Sequence, residues 1–384
     1  MGNIIDYVRE EMRKADEKPF SEVDSLVLCQ FSYLLFDGIV PGFEQECGKI
    51  TVKDLYKAEF FSTIFPDNGS RKENQQLLFA MAASPRFRDM ALCHYVNETD
   101  AAAEKQFAAI TIAVDEDTKY VAFRGTDSTL VGWKEDFNMA YITPVPAQQT
   151  AKEYVEKTAD QWQGKLWLGG HSKGGNLAVY AGIHVDEKVR GQIERIYSHD
   201  GPGFVEEFLN GNAFADLSGR IDKTLPRSSI FGMMFETQED YAIVESTEFS
   251  LLQHNPFSWV VDGHDFVYCE RLSAGARYVD GSIREMLLAV SPSERERFVD
   301  ALFSVFEATG AERFADIAGN LRESLPVMLQ AAQGFDEDTR RFVSQTIVAI
   351  LKCALLPKRP QIDMPAAGKS LAEQLEAWQS ELLR

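Results

Sequence analysis

The feature that most restricts how this chain can fold is the pentapeptide Gly170-His171-Ser172-Lys173-Gly174. The run 165–170 before it is short, apolar and strand-like. The run 175–185 after it opens a helical pattern. A serine on that junction must turn from strand to helix on strained backbone angles, and glycine on either side lets strand and helix approach. The hydroxyl then projects from the bend, next to the N-terminal amides of a helix, where negative charge is stabilised. That is the arrangement a nucleophile needs. The plainer reading is a serine that only caps the helix.

The rest of the chain fits an alternating architecture. Residues 1–83 read as helical, with Ser21 as the N-cap of one helix and shorter helices at 51–61 and 72–81. Strands are expected at 90–96, 107–114 and 119–124, the last two joined by a hairpin through Asp115 to Thr118. An amphipathic segment follows, with Trp133, Phe137 and Tyr141 on one stripe, readable as a lid or as core packing. Beyond the prolines at 144 and 146, helices at 151–162, 175–185 and 204–209 alternate with strands at 165–170, 193–199, 228–235 and 241–245. Such alternation implies an α/β fold with a mostly parallel sheet flanked by helices. From 282 to 356 the pattern is helical again. Two parts are therefore expected: 1–280, and a C-terminal helical subdomain with its tail at 281–384.

Composition narrows the function. The net charge of −20 disfavours nucleic acid and anionic membrane surfaces as partners. The N-terminus lacks the basic and apolar regions of a secretory signal, and the apolar stretch 347–356 is too short to span a bilayer. Five scattered cysteines, Cys29, Cys47, Cys93, Cys269 and Cys353, suit a reducing, cytoplasmic compartment. There is no HExxH, no zinc spacing, and only a fragment of a P-loop at Ala366 to Ser370, so no cofactor or metal is expected.

The pentapeptide matches the G-x-S-x-G nucleophile elbow of α/β-hydrolases. Upstream, Val121-Ala122-Phe123-Arg124-Gly125-Thr126-Asp127-Ser128, with Trp133 and Asp136, resembles the strand-end signature of class 3 lipases. With Ile4 to Tyr7, Ser198 to Phe204 and Leu252-Gln253-His254, the first two-thirds of the chain resembles a bacterial lipase-like family of unassigned function. The resemblance implies an α/β-hydrolase fold and acyl transfer, with Thr126 as one oxyanion donor. The second donor is the N–H after the nucleophile, that of Lys173.

In this fold the order is serine, acid, histidine. His254 is the expected base, with His264 as its rival. Asp240, after the expected strand 228–235, is the chosen acid; Asp200 and Glu245 are rivals, and Glu236 and Glu239 lie nearby. The Lys173 side chain would add a cation beside the nucleophile, favouring a small polar or anionic ester over a long-chain triglyceride. The resulting expectation is a serine esterase acting on a small-molecule ester or acyl substrate. The alternative is an inactive hydrolase fold serving as a binding or scaffold protein.

Overall fold

The computed structural model describes residues 1–45, 49–65, 70–127, 129, 130–139, 143–204, 212–229, 232–233, 240–248, 250–272, 292–344 and 347. Cys47, Cys353, Ser128, Tyr141, Glu236, Glu239, the expected helix beyond Phe204, half of the 228–235 strand and the tail from 348 lie outside these residues. The chain divides into two compact units: Met1–Asp127 with Ile142–Met286, and Ser128–Tyr141 with Leu287–Arg384.

In the first unit, helices α1 (Ile4–Glu10) and α2 (Glu22–Phe31) both begin with a capping box, Asn3 with Asp6 and Ser21 with Asp24. Strand β1 (Ile50–Thr51) is followed by short 3-10 turns, α3 (Phe61–Ile64) and α4 (Arg71–Ala83). Then come β2 (Ala91–Asp100), β3 (Lys105–Ala113) and β4 (Thr118–Phe123). After β4 the chain leaves for α5 (Leu130–Asn138), which belongs to the second unit. It returns as α6 (Pro146–Asp160), β5 (Lys165–His171), α7 (Lys173–His184), α8 (Glu187–Arg190) and β6 (Ile193–His199). Beyond helix Asn212–Leu217 lie β7 (Ile221–Pro226) and β8 (Ala242–Val244), a ribbon of β9 (Val261–Asp262) and β10 (Asp265–Phe266), and β11 (Tyr268–Cys269).

The main sheet runs β1-β2-β3-β4-β5-β6-β7-β8-β11. Strands β4 to β8 are parallel, and the flanking pairs are antiparallel. With its elbow at the β5–α7 junction, this is an α/β-hydrolase fold. The strands at 90–96, 107–114, 119–124, 165–170 and 193–199 stand where the periodicity puts them. One does not: the strand after β6 is 221–226, ahead of the apolar run at 228–235. Asp222, Lys223 and Thr224 hide it from a hydropathy reading, although Lys223 and Thr224 are buried within it. Among the described residues, no helix is long and apolar enough to cross a membrane.

The core of this unit carries histidines that burial holds neutral. Desolvation draws His94 down to about 4 and His199 to about 3. A histidine in the unfolded chain titrates near 6.5. As pH falls from 6.5 toward 4 and then 3, the unfolded state takes up protons that the native state refuses, so stability falls with falling pH. Each such histidine contributes a slope of about 1 kcal/mol per pH unit in its window. Thermal melting should therefore drop clearly between pH 7 and pH 5. A midpoint that stays flat over that interval would contradict the burial argument.

In the second unit, α5 is covered by helices Pro292–Glu307, Phe314–Gly319 and Leu321–Ala332. Leu130 is buried among Leu302, Phe306 and Ile317, with Trp133 and Phe137 packed against the same cluster. The Phe137 ring meets Phe303 edge-on at 5.7 Å. Leu130 N–H donates to the Glu312 carbonyl at 2.9 Å, and Lys134 pairs with Asp300 at 2.9 Å. The stripe at 133 and 137 is thus core packing of a helical unit, the plainer of its two readings.

Candidate active site

The elbow is built by its glycines. A methyl on Gly170 would collide with the Gly174 backbone, and one on Gly174 with the Phe123 carbonyl at the end of β4. Only bare backbone lets β5, α7 and β4 meet there. Ser172 takes the turn at φ 59° and ψ −132°, a left-handed conformation that serine rarely adopts. Its side chain caps nothing, which removes the capping reading. Ser172 is partly exposed, and its N–H donates to the His199 carbonyl at 2.9 Å.

That bond ties the elbow to the end of β6, where the acid sits. Asp200 is fully buried at φ 51°, and its N–H donates to the Thr224 carbonyl of β7 at 2.8 Å. Its Oδ2 accepts from His254 Nδ1 at 2.6 Å. Its Oδ1 accepts from the Ser229 hydroxyl and from the Gly232 N–H, the latter at 3.1 Å. Burial holds the Lys223 amine down to about 7, partly offset by the Asp200 charge. Asn176 steadies the following loop, donating to the Pro202 and Gly203 carbonyls while accepting from Gln148.

His254 ends a 3-10 turn at Ser250–His254 and is partly exposed. Its neighbour Gln253 anchors the turn: Oε1 accepts from Ser228 N–H at 2.6 Å, and its carbonyl accepts from the Trp259 indole at 2.8 Å. The His254 ring lies 4.5 Å, centroid to centroid, from that of His171, the residue before the serine. The base expected from the sequence is therefore at the elbow. The chosen acid is not beside it: Asp240 is exposed just ahead of β8, and the carboxylate on His254 belongs to Asp200. The difference is one of strand choice: the carboxylate on His254 stands at the end of β6, whereas the expectation looks for it after the following strand. Glu245 pairs with Arg227, and His264 with Glu11, so neither rival shares the pair.

Lys173 and Thr126 flank the serine in sequence and topology. Lys173 supplies the first amide of α7, and Thr126 follows the end of β4 and is partly exposed. The Lys173 ammonium does not line the site. It is buried and donates to the Gln106 carbonyl on β3 at 3.0 Å, so the expectation of a cation selecting anionic esters falls. Arg124 is buried with Nη2 on Asn97 Oδ1 at 3.0 Å. Sequence reasoning missed Ser229 and Gly232 on the acid, and Tyr33, whose hydroxyl stands 3.1 Å from His171 Nδ1. None of the three sits in a motif.

The Mbeg1-like family profile matches residues 81–304. No curated protein matches the sequence. Among solved structures, the chain is similar to the lipase of Rhizomucor miehei in its propeptide complex, at 17% identity over 42% of this chain and 58% of that one, with a TM-score of 0.33. It is also similar to a triacylglycerol lipase whose catalytic centre is a serine protease triad, at 14% identity over 62% and 83%, TM-score 0.38. A third is the M37 lipase, at 13% identity over 56% and 70%, TM-score 0.34. The chain spans less than two-thirds of the length of the Rhizomucor lipase.

Proposed function

Because the chain belongs to the Mbeg1-like family and holds an imidazole–carboxylate pair against His171, the residue before its elbow serine, we propose that it is a serine hydrolase cleaving a carboxylic ester or related acyl bond. The observation that carries this reading is the 2.6 Å contact between His254 Nδ1 and the buried Asp200 carboxylate, at the end of the strand next to the elbow. A carboxylate there fixes the proton on Nδ1 and leaves Nε2 as the basic nitrogen.

In the proposed cycle, Ser172 Oγ attacks the carbonyl carbon while His254 Nε2 takes the hydroxyl proton. The tetrahedral oxyanion is met by the Lys173 amide and by Thr126. His254 then hands its proton to the departing alcohol, leaving an acyl-serine. Water, deprotonated by the same imidazole, releases the acid and restores the serine. Free thiols at Cys29 and Cys269 support a reducing, cytoplasmic setting.

A fluorophosphonate probe tests the assignment. Labelling of the native chain, and none of Ser172→Ala, is the expected result. No labelling of the folded native protein would instead support a scaffold built on a hydrolase fold. A series of p-nitrophenyl esters of increasing chain length then defines the acyl group accepted.

A further inference from the structure

The elbow histidine has work that the proposed cycle does not give it. His171 is buried, and its ring lies against that of His254 at 4.5 Å with 39° between the planes. The Trp259 ring closes on it edge-on at 6.4 Å. On the other side, the Tyr33 hydroxyl meets Nδ1 at 3.1 Å. That same hydroxyl stands where a methyl on Gly125 would be, and that methyl would be 3.2 Å from Ser172 Cβ. Tyr33 therefore reaches the elbow from just after α2, in the N-terminal helical segment that precedes the residues matched by the family.

We infer that His171 and Tyr33 are positioning residues: Tyr33 fixes the His171 ring, and the His171 ring is the wall that holds His254 in line between Asp200 and Ser172. This inference rests on the hydrolase reading for its kinetic consequences, but not for its geometric ones. The wall must stay uncharged, because a cation there would repel the imidazolium formed when His254 takes the serine proton. Burial keeps the His171 ring neutral by pushing its pKa well below the ordinary histidine value, and a positive charge on the adjoining His254 would push it further the same way. A flat apolar ring should do the same work; a methyl should not.

Three full-length variants test this: His171→Ala, His171→Phe and Tyr33→Phe. On a short p-nitrophenyl ester, His171→Ala should lose roughly 10–100-fold in kcat, the scale of an ångström-level misplacement, with KM changed less than about threefold. His171→Phe should return to within about threefold of the native kcat, and Tyr33→Phe should fall between the two. The second readout needs no turnover. In the histidine-labelled protein, the far-downfield Nδ1–H proton that His254 shares with Asp200, assigned by its loss in His254→Ala, should persist in His171→Phe and broaden or vanish in His171→Ala. An unchanged resonance in His171→Ala, or a His171→Phe variant as impaired as the alanine, overturns the inference. Should the native chain neither label nor turn over, the hydrolase reading fails, and the resonance comparison still decides the role of His171.

Discussion

Asp200→Asn should lower kcat on the order of 10⁴-fold, while Asp240→Asn should leave it within about twofold. The asparagine can keep its carbonyl oxygen on Ser229 and Gly232, so the loop need not collapse. Its amide would then face His254 Nδ1 with a donor in place of an acceptor. The imidazole would carry its proton on the wrong nitrogen, and Nε2 would no longer be a base toward Ser172. Asp240 is exposed and stands away from this pair, so removing its charge disturbs only solvent-facing structure. Steady-state rates of the two variants on one activated ester are sufficient. Comparable activity in Asp200→Asn and the native chain would remove Asp200 from the proposed cycle.

Arg86→Ala should cost about 3–5 kcal/mol of folding stability, because it strands a carboxylate in the core. The guanidinium uses all its donors: Nε and Nη2 on the two Asp24 oxygens at 2.6 Å each, and Nη1 and Nη2 on the carbonyls of Arg13, Lys18 and Pro19. Both side chains are almost completely buried. Asp24 also accepts from the Tyr7 hydroxyl at 2.8 Å and closes the cap of α2. Arg86→Lys should rescue little, since a single ammonium cannot replace a planar fork with five donors. Urea denaturation of the three proteins gives the comparison; a loss under about 1 kcal/mol for the alanine would mean that the pair is not what holds α2 down.

The contrast between Asp200 and Asp240 also marks where sequence reading ends. The elbow was legible because geometry demands glycine at 170 and 174, and the demand is written in consecutive residues. The strands β4, β5 and β6 were legible because their apolar runs are continuous. The histidine was legible by chain order, which left few candidates. The acid was not, because chain order does not say which strand end carries it, and Asp200 ends β6, one strand earlier than the expectation looks. Strand β7 is missed for a separate reason: it carries Asp222, Lys223 and Thr224 where a buried strand usually carries valine or isoleucine, so hydropathy selects the apolar run after it. A local signal did exist: Asp200-Gly201-Pro202-Gly203 marks an abrupt end to β6 at the level of Ser172. Tyr33 had no such signal, since only folding brings it to His171 from far along the chain. The Lys173 side chain was misread for a related reason: the sequence gives its charge but not its direction.

The α5 helix raises an issue of order in time. It lies between β4 and α6, but the side chains that cover Leu130, Trp133 and Phe137 come from beyond Pro292. On the ribosome this helix emerges long before its partners, so its oily face must wait in water while β5 to β8 are made. During that wait it is a natural handle for a chaperone, and a nascent chain that stalls before the last helices would carry an uncovered adhesive helix.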